Sequence, residues 1–521
     1  MKKTIYLIII LITLTFGVRL VIAFNTYVIS SDGPFYLKVS QYFAKGDYKS
    51  ALIKQTFHPL YPFLISIAYK LIWNWEWAGL LVSIFFSSLG MIPLYFIGKR
   101  YFSHPIVISS CILYAFHPYA AQLSASILTT GVFIGVFLFA LWVTIIALET
   151  DRYRYFFISG LLSFIMYLIR PDGIIFLLLS LIGIWVSKNQ LAKNKIILKR
   201  FLCALMLVIP WMLLMMPYIY TVKAVTGEIN ITGKASIAQM LGLESKSSDS
   251  IDTSDTSESV SKIGTRGTVV KYLNGLYLVL VDFIKGANVL LFLLFLIGII
   301  SYFKKEEHTL SKSFFIWFVF IIFILSLFRY AIIYERMSKR YTVPLFMMVI
   351  LWAGNGLYVI TEWIRKKLGY KNELYYISGV FIAIILSLFT FQPIGKSKII
   401  EKITGELLNN YHSKHGVASK TPSIITTSSR IAYYGGGEAI MPEELGKDYA
   451  KLADIILKQG IDYLVLDGRI SRKVPSLENE IFQCKRKQLS VELISPYFKI
   501  ADGKDVNFYK TYRFFIAPKN K

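Results

Sequence analysis

The chain of 521 residues is 55% hydrophobic and only 17% charged, with a mean hydropathy of +0.53 and a formal net charge of +25. Soluble domains carry about 25% charged residues, so this balance excludes an ordinary soluble enzyme and fits repeated membrane spans. The charge is not a nucleic-acid footprint, because no basic stripe on a soluble module and no zinc-finger or RNA-binding signature goes with it. Cys111 and Cys203 fall in hydrophobic stretches and Cys484 stands alone, so no disulfide framework is indicated.

From the N-terminus, Met1-Lys2-Lys3 opens an apolar run to Ala23 without a small-residue cleavage site, which reads as an uncleaved first span. A helix needs roughly 20 apolar residues to cross a bilayer. By that measure about eleven spans are expected, near 5–23, 79–98, 105–121, 131–148, 155–169, 173–187, 199–217, 276–302, 313–330, 341–360 and 375–391. Asp282 and Lys285 interrupt the first half of 276–302, so the membrane is expected to begin close to Ala287. With the N-terminus inside, the cytoplasmic connections hold Lys99-Arg100, Arg152 and Arg154, the Lys188–Arg200 cluster, Lys304-Lys305 and Arg365-Lys366-Lys367. Every inside loop is then basic, as the positive-inside rule requires.

Three segments fall on the outer side in this topology: 25–78, 218–275 and the C-terminal stretch from Gly395 to Lys521. Within the second, Glu244 to Lys262 is rich in Ser, Asp and Thr and cannot pack a core; a lid and a tolerated insertion are both open. In the third, a helical pattern over Asp448 to Lys458 and strands at Tyr463–Leu466 and within Val506–Ala517 predict a small α/β domain. Gly435-Gly436-Gly437 lacks the context of a phosphate-binding loop and reads as a turn. The expected fold is thus mostly α: a membrane domain over 1–394 followed by an extracytoplasmic α/β domain over 395–521.

The residues with chemical potential gather at the outer ends of spans. Asp32, in Ser31-Asp32-Gly33-Pro34-Phe35-Tyr36, precedes an expected interfacial helix at Gly33–Phe43. It suits both a helix cap and a catalytic carboxylate. His58-Pro59-Leu60-Tyr61-Pro62 follows, with His58 readable as an interfacial aromatic or, beside Asp32, as a metal ligand. Arg19, Arg170, Arg329, Arg336, Lys339 and Arg340 are expected near outer ends, either snorkelling to headgroups or holding a lipid phosphate. Span interiors nearly free of ionisable groups argue against an ion-coupled transporter.

In these motifs and their order, the chain resembles GT-C membrane glycosyltransferases, the superfamily of protein O-mannosyltransferases and lipid A aminoarabinose transferases. The resemblance rests on Asp32 with Tyr36, on His58 to Pro62, on Arg170-Pro171-Asp172-Gly173 and on Arg340-Tyr341-x-x-Pro344, and covers roughly residues 5–390. It implies transfer of a sugar from a polyprenyl-phosphate donor to a lipid, glycan or protein acceptor, outside what is expected to be a bacterial inner membrane. Asp32 is then the expected base. Arg170, Arg336, Lys339, Arg340 and Tyr341 are expected to hold the donor phosphate, and Tyr36, His58 and Tyr61 the substrate. Many relatives carry an acidic residue where this chain has Ser126–Gly131, and some carry Glu at the position of Phe57-His58. The implied metal is therefore Mg or Mn, or Zn through His58 with Asp32, with metal-free action as the alternative. A polysaccharide polymerase or ligase using a pyrophosphate-linked donor, and a lipid or sugar transporter, are the competing functions.

Overall fold

A computed structural model describes residues 2–53, 58–186, 193–226, 265–305, 309–368, 374–415, 421–440, 461–466, 489–495 and 510–516. The Ser- and Asp-rich stretch 244–262 and the helix expected at Asp448–Lys458 lie outside them. The chain is a mostly α, polytopic membrane protein with one small sheet. It divides into two compact units: Met1–Asn25 with Tyr36–Gln392, and Thr26–Phe35 with Pro393–Lys521.

All eleven expected spans fall on helices in the first unit. Six of these helices are long and apolar enough to cross a bilayer: Lys2–Phe24, Trp75–Tyr101, Thr129–Thr150, Ile197–Ala224, Ser313–Tyr334 and Lys339–Lys367. Two more expected spans are bent pairs. His104–Phe116 meets Pro118–Ser124 at 53°, and Val269–Ala287 meets Val289–Lys304 at 99°. The causes are local. Pro118 keeps His117 out of the helical region (ψ 116°), and the His117 imidazole accepts from the Ala120 N–H instead. Asn288 takes a left-handed conformation (φ 69°), which Asn tolerates better than most residues, and its side chain accepts from Leu290 N–H. This break falls one residue after Ala287, where the membrane was expected to begin. The remaining expected spans, at 155–169, 173–187 and 375–391, lie on shorter apolar helices. Asp172–Val186, with 15 residues, is about 22 Å long against a hydrocarbon core of about 30 Å.

Close backbone contacts hold the bundle together. A Cβ on Gly298 would run into the carbonyl of Trp352, and one on Gly356 into that of Leu294. The helices Val289–Lys305 and Lys339–Leu368 therefore approach at their glycines, as small residues permit in membranes. Asn355 adds a hydrogen bond to Gly298 O at 2.8 Å. Arg19 corrects an expectation: it is fully buried, donates to Thr15 O and lies 5.1 Å from the centre of the Tyr114 ring. It is a packed side chain and does not reach for headgroups.

The second unit carries a five-stranded sheet of order β2-β1-β3-β5-β4, with β1 at Ser423–Ile425, β2 at Glu438–Ile440, β3 at Tyr463–Leu466, β4 at Leu489–Ser495 and β5 at Lys510–Ile516. β1 pairs in parallel with β2 and β3, while β5 runs antiparallel to β3 and β4. The strands expected near 463 and 510 are β3 and β5, and the glycines at 435–437 form the turn between the helix Ser429–Tyr434 and β2. Leu408, Ile424, Ile431, Ala432, Tyr463 and Val465 form the core between the sheet and the helix Ile399–His415.

Candidate active site

In the first unit, the motif Arg170-Pro171-Asp172-Gly173 makes a tight corner. Pro171 disfavours a helical Arg170, which is extended (φ −154°, ψ 146°) and ends the helix Tyr153–Ile169 with its N–H on Met166 O. The next helix starts at Asp172, close enough to the previous one that a Cβ on Gly173 would collide with the backbone at Tyr167 and Ser163. The Arg170 side chain leaves this corner to pair with Asp172 at 2.8 Å. Its guanidinium carbon lies 4.7 Å from the centre of the Phe133 ring and 5.2 Å from that of Tyr341.

Tyr341 opens the helix Lys339–Leu368, which Thr342 fastens by donating to Asp282 O and Lys339 O, both at 3.0 Å. Arg340 donates to the Tyr341 hydroxyl at 3.2 Å, and its guanidinium carbon is 5.1 Å from the same ring centre. Two guanidiniums therefore share one aromatic ring. An aromatic face attracts a guanidinium without taking up its N–H donors, and a planar guanidinium fork suits phosphate oxygens.

His58 belongs to the same unit. It is buried, its ring meets Tyr167 edge-on at 5.0 Å, and its Nδ1 has no hydrogen-bond partner among the described residues. Burial, and then the charge of Arg170, pull its imidazole down from 6.5 to about 4, so it is neutral at pH 7. Tyr61 is fully buried, with its hydroxyl within reach of Gly79 O at 3.1 Å and Ser83 Oγ at 2.8 Å; Ser83 in turn donates to Leu128 O. Tyr36 stands edge-on to Tyr61 at 5.1 Å. Tyr61 and Ser83 thus tie the helix Leu60–Ile72 to the chain around Leu128, and the Tyr61 hydroxyl is engaged within the protein.

Of the other basic candidates, Arg336 acts electrostatically on Tyr330, whose ring lies 5.5 Å from that of Tyr341. Lys339 sets its ammonium 3.7 Å from the centre of the Tyr119 ring, and Arg336 is exposed on the turn after Glu335 (φ 49°).

Asp32 is in the second unit, immediately before the helix Gly33–Ala44, at the position a cap would take. It is half-buried. Gly33 N–H donates to Ser30 O at 3.0 Å, closing a four-residue turn with Asp32 third. Ser429 Oγ donates to Ser31 O at 2.9 Å and Arg430 Nε to Ile29 O at 2.8 Å.

For a divalent metal the donor set is thin. Among the described residues no three His, Cys, Asp or Glu side chains converge, and His58 has a guanidinium as its electrostatic neighbour. One imidazole nitrogen beside a cation does not fit a metal ion.

Asp172, Phe133, Ser429 and Arg430 were not among the expected site residues. Asp172 was within a motif already singled out; the other three carry no local signal.

Residues 55–214 match the model of the family described as dolichyl-phosphate-mannose-protein mannosyltransferase. No curated protein sequence matches the chain. Among solved structures, the Archaeoglobus fulgidus oligosaccharyltransferase, in a complex with Zn and sulfate, is similar with a TM-score of 0.58 at 12% identity, over 96% of this chain and 72% of that one. ArnT from Cupriavidus metallidurans, bound to undecaprenyl phosphate, is similar with a TM-score of 0.55 at 12% identity, over 98% of both chains. The chain has the GT-C fold. Of the expected motifs, His58 to Pro62, the Arg170 corner and the Arg340-Tyr341 helix start lie in the first unit, and Asp32 lies in the second.

Proposed function

We propose that the chain is an integral membrane glycosyltransferase that moves a sugar from a polyprenyl-phosphate donor to an acceptor hydroxyl. The observation that carries this reading is the sharing of the Tyr341 ring by Arg170 and Arg340. A similar fold holds undecaprenyl phosphate in ArnT, which supports a phosphate of the same kind here. Asp32 takes the proton of the acceptor hydroxyl while the acceptor oxygen attacks the anomeric carbon. The bond from that carbon to the phosphate oxygen breaks and the configuration inverts. The electron pair leaves with the phosphate, and Arg170 and Arg340 stabilise the charge that develops there. Tyr341 holds the two guanidiniums, and the neutral His58 adds no competing positive charge. The basic loops support an extracytoplasmic side for this chemistry, in a bacterial inner membrane.

Purified protein in lipid nanodiscs, offered a panel of polyprenyl-monophosphate and polyprenyl-pyrophosphate sugars with lipid, glycan and protein acceptors, tests this. Transfer from a monophosphate donor is expected, unchanged by EDTA. Transfer from pyrophosphate donors alone would move the chain to the polymerase or ligase class, and transfer from neither would overturn the reading. Loss of transfer with EDTA, restored by Mg, Mn or Zn, would overturn the metal-free route.

A further inference from the structure

The second unit grips the segment that carries Asp32. Thr26 bridges to Ile394, and Tyr27 N–H donates to Ile394 O at 3.0 Å. Gly395 follows in a left-handed conformation (φ 74°), where a Cβ would crowd Val28. Ile29 is held at both ends: its N–H donates to the Tyr434 hydroxyl at 3.2 Å, and its carbonyl accepts from Arg430 Nε at 2.8 Å. Ser429 holds the carbonyl of the peptide bond that joins Ser31 to Asp32.

Arg430 is itself fixed. Its Nη1 reaches Glu401 Oε2 at 2.6 Å, and the same oxygen accepts from Ser428 Oγ at 2.6 Å. Lys398 stands 3.7 Å from the other oxygen, and the Glu401 side chain is 2% exposed. A buried carboxylate held by two short hydrogen bonds cannot swing, so the guanidinium cannot either.

The position in the sheet adds to this. β1 is followed directly by Thr426 to Ser428 and the helix Ser429–Tyr434, so Ser429 and Arg430 lie beyond its carboxyl end. The chain goes from β1 to β2 on one side and then to β3 on the other. In open α/β sheets the crevice beyond the strand ends at such a reversal is where ligands bind. Here backbone from Ile29 to Ser31 occupies the carboxyl end of β1, so the sheet uses its binding edge on its own chain.

We infer that Ser429 and Arg430, the latter locked by Glu401, are positioning residues that set the geometry of Asp32, making the C-terminal unit part of the catalytic apparatus. The inference rests on the proposed role of Asp32. A carboxylate displaced by about 1 Å costs up to about a hundredfold in rate.

The test uses the full-length protein in nanodiscs with wild type, Arg430→Met, Arg430→Lys and Ser429→Ala. Hydrogen–deuterium exchange is read at residues 27–33 and at β1 and β3, alongside transfer from the polyprenyl-phosphate sugar that serves the wild type. For Arg430→Met, exchange should rise at least about tenfold in 27–33 with β1 and β3 unchanged, and kcat should fall about 10- to 100-fold at constant donor KM. Lys keeps a charge beside Glu401 but has no fork to reach Ile29 as well, so Arg430→Lys should recover part of kcat. Ser429→Ala should show the same pattern at smaller size. Unchanged exchange at 27–33 would overturn the inference, as would exchange rising equally throughout the sheet, or local loosening with kcat intact. A wild type that transfers nothing counts against the donor reading, and local exchange then judges the clamp alone.

Discussion

Arg430 in the C-terminal unit and Arg170 in the membrane unit each pair with a carboxylate, Glu401 at 2.6 Å and Asp172 at 2.8 Å. Their surroundings then diverge. Arg430 gives its Nε to the Ile29 carbonyl, and its carboxylate is 2% exposed and also bound by Ser428. Arg170 lies against the rings of Phe133 and Tyr341, with the Arg340 guanidinium on the same tyrosine and a partner carboxylate that is 25% exposed. An arginine that ends on backbone and on a desolvated carboxylate fixes a loop. One that rests on aromatic faces beside a second cation keeps an electrostatic demand for an anion. In the reading proposed above, the same side chain serves position in one region and binding in the other.

Five measurements would break or sharpen this contrast. Asp32→Asn should lower kcat by about 10²- to 10⁴-fold, the range of a general base, without weakening donor binding. Glu401→Ala should destabilise the C-terminal unit by about 3–5 kcal/mol, as when a buried pair loses one member. Asp172→Ala should cost about 1 kcal/mol or less, because solvent shares that carboxylate; thermal unfolding in detergent compares the two. Equal losses would erase the distinction.

His58 gives a pH signature. Its pKa falls from 6.5 to about 4 in the folded state, so the unfolded chain binds a proton that the folded chain refuses. Stability contributed by the neutral ring is full above pH 6.5 and declines as pH falls towards 4, by about 3 kcal/mol. His58→Gln should flatten that part of the profile. Arg170→Ala and Arg340→Ala should each weaken donor-lipid affinity by about 10- to 100-fold, the value of a charge-assisted hydrogen bond. Tyr61→Phe should likewise cost only about 1 kcal/mol of stability and leave donor KM unchanged, because that hydroxyl serves Gly79 and Ser83.

Much of the membrane unit was legible in the sequence. Apolar runs separated by basic loops located its helices, and the two bends escaped because hydropathy averages over single residues such as His117 and Asn288. The convergence of Arg170 with Arg340 and Tyr341 followed from motifs at span ends. That Lys339 would diverge did not, although the reason is elementary: consecutive helical residues point about 100° apart. The grip on Asp32 was invisible, since Ser31 and Ser429 are 398 positions apart, and Ile29 and Arg430 are 401 apart. No local periodicity encodes such a pairing.

The central claim is that proton removal and phosphate binding are carried by different regions. Binding of undecaprenyl phosphate to the purified full-length protein, measured together with sugar transfer, tests it most directly. The account predicts that Asp32→Asn binds the lipid like the wild type yet transfers no sugar, while Arg170→Ala/Arg340→Ala loses the lipid. Wild-type lipid affinity in the arginine double variant, or loss of lipid binding in Asp32→Asn, would contradict it.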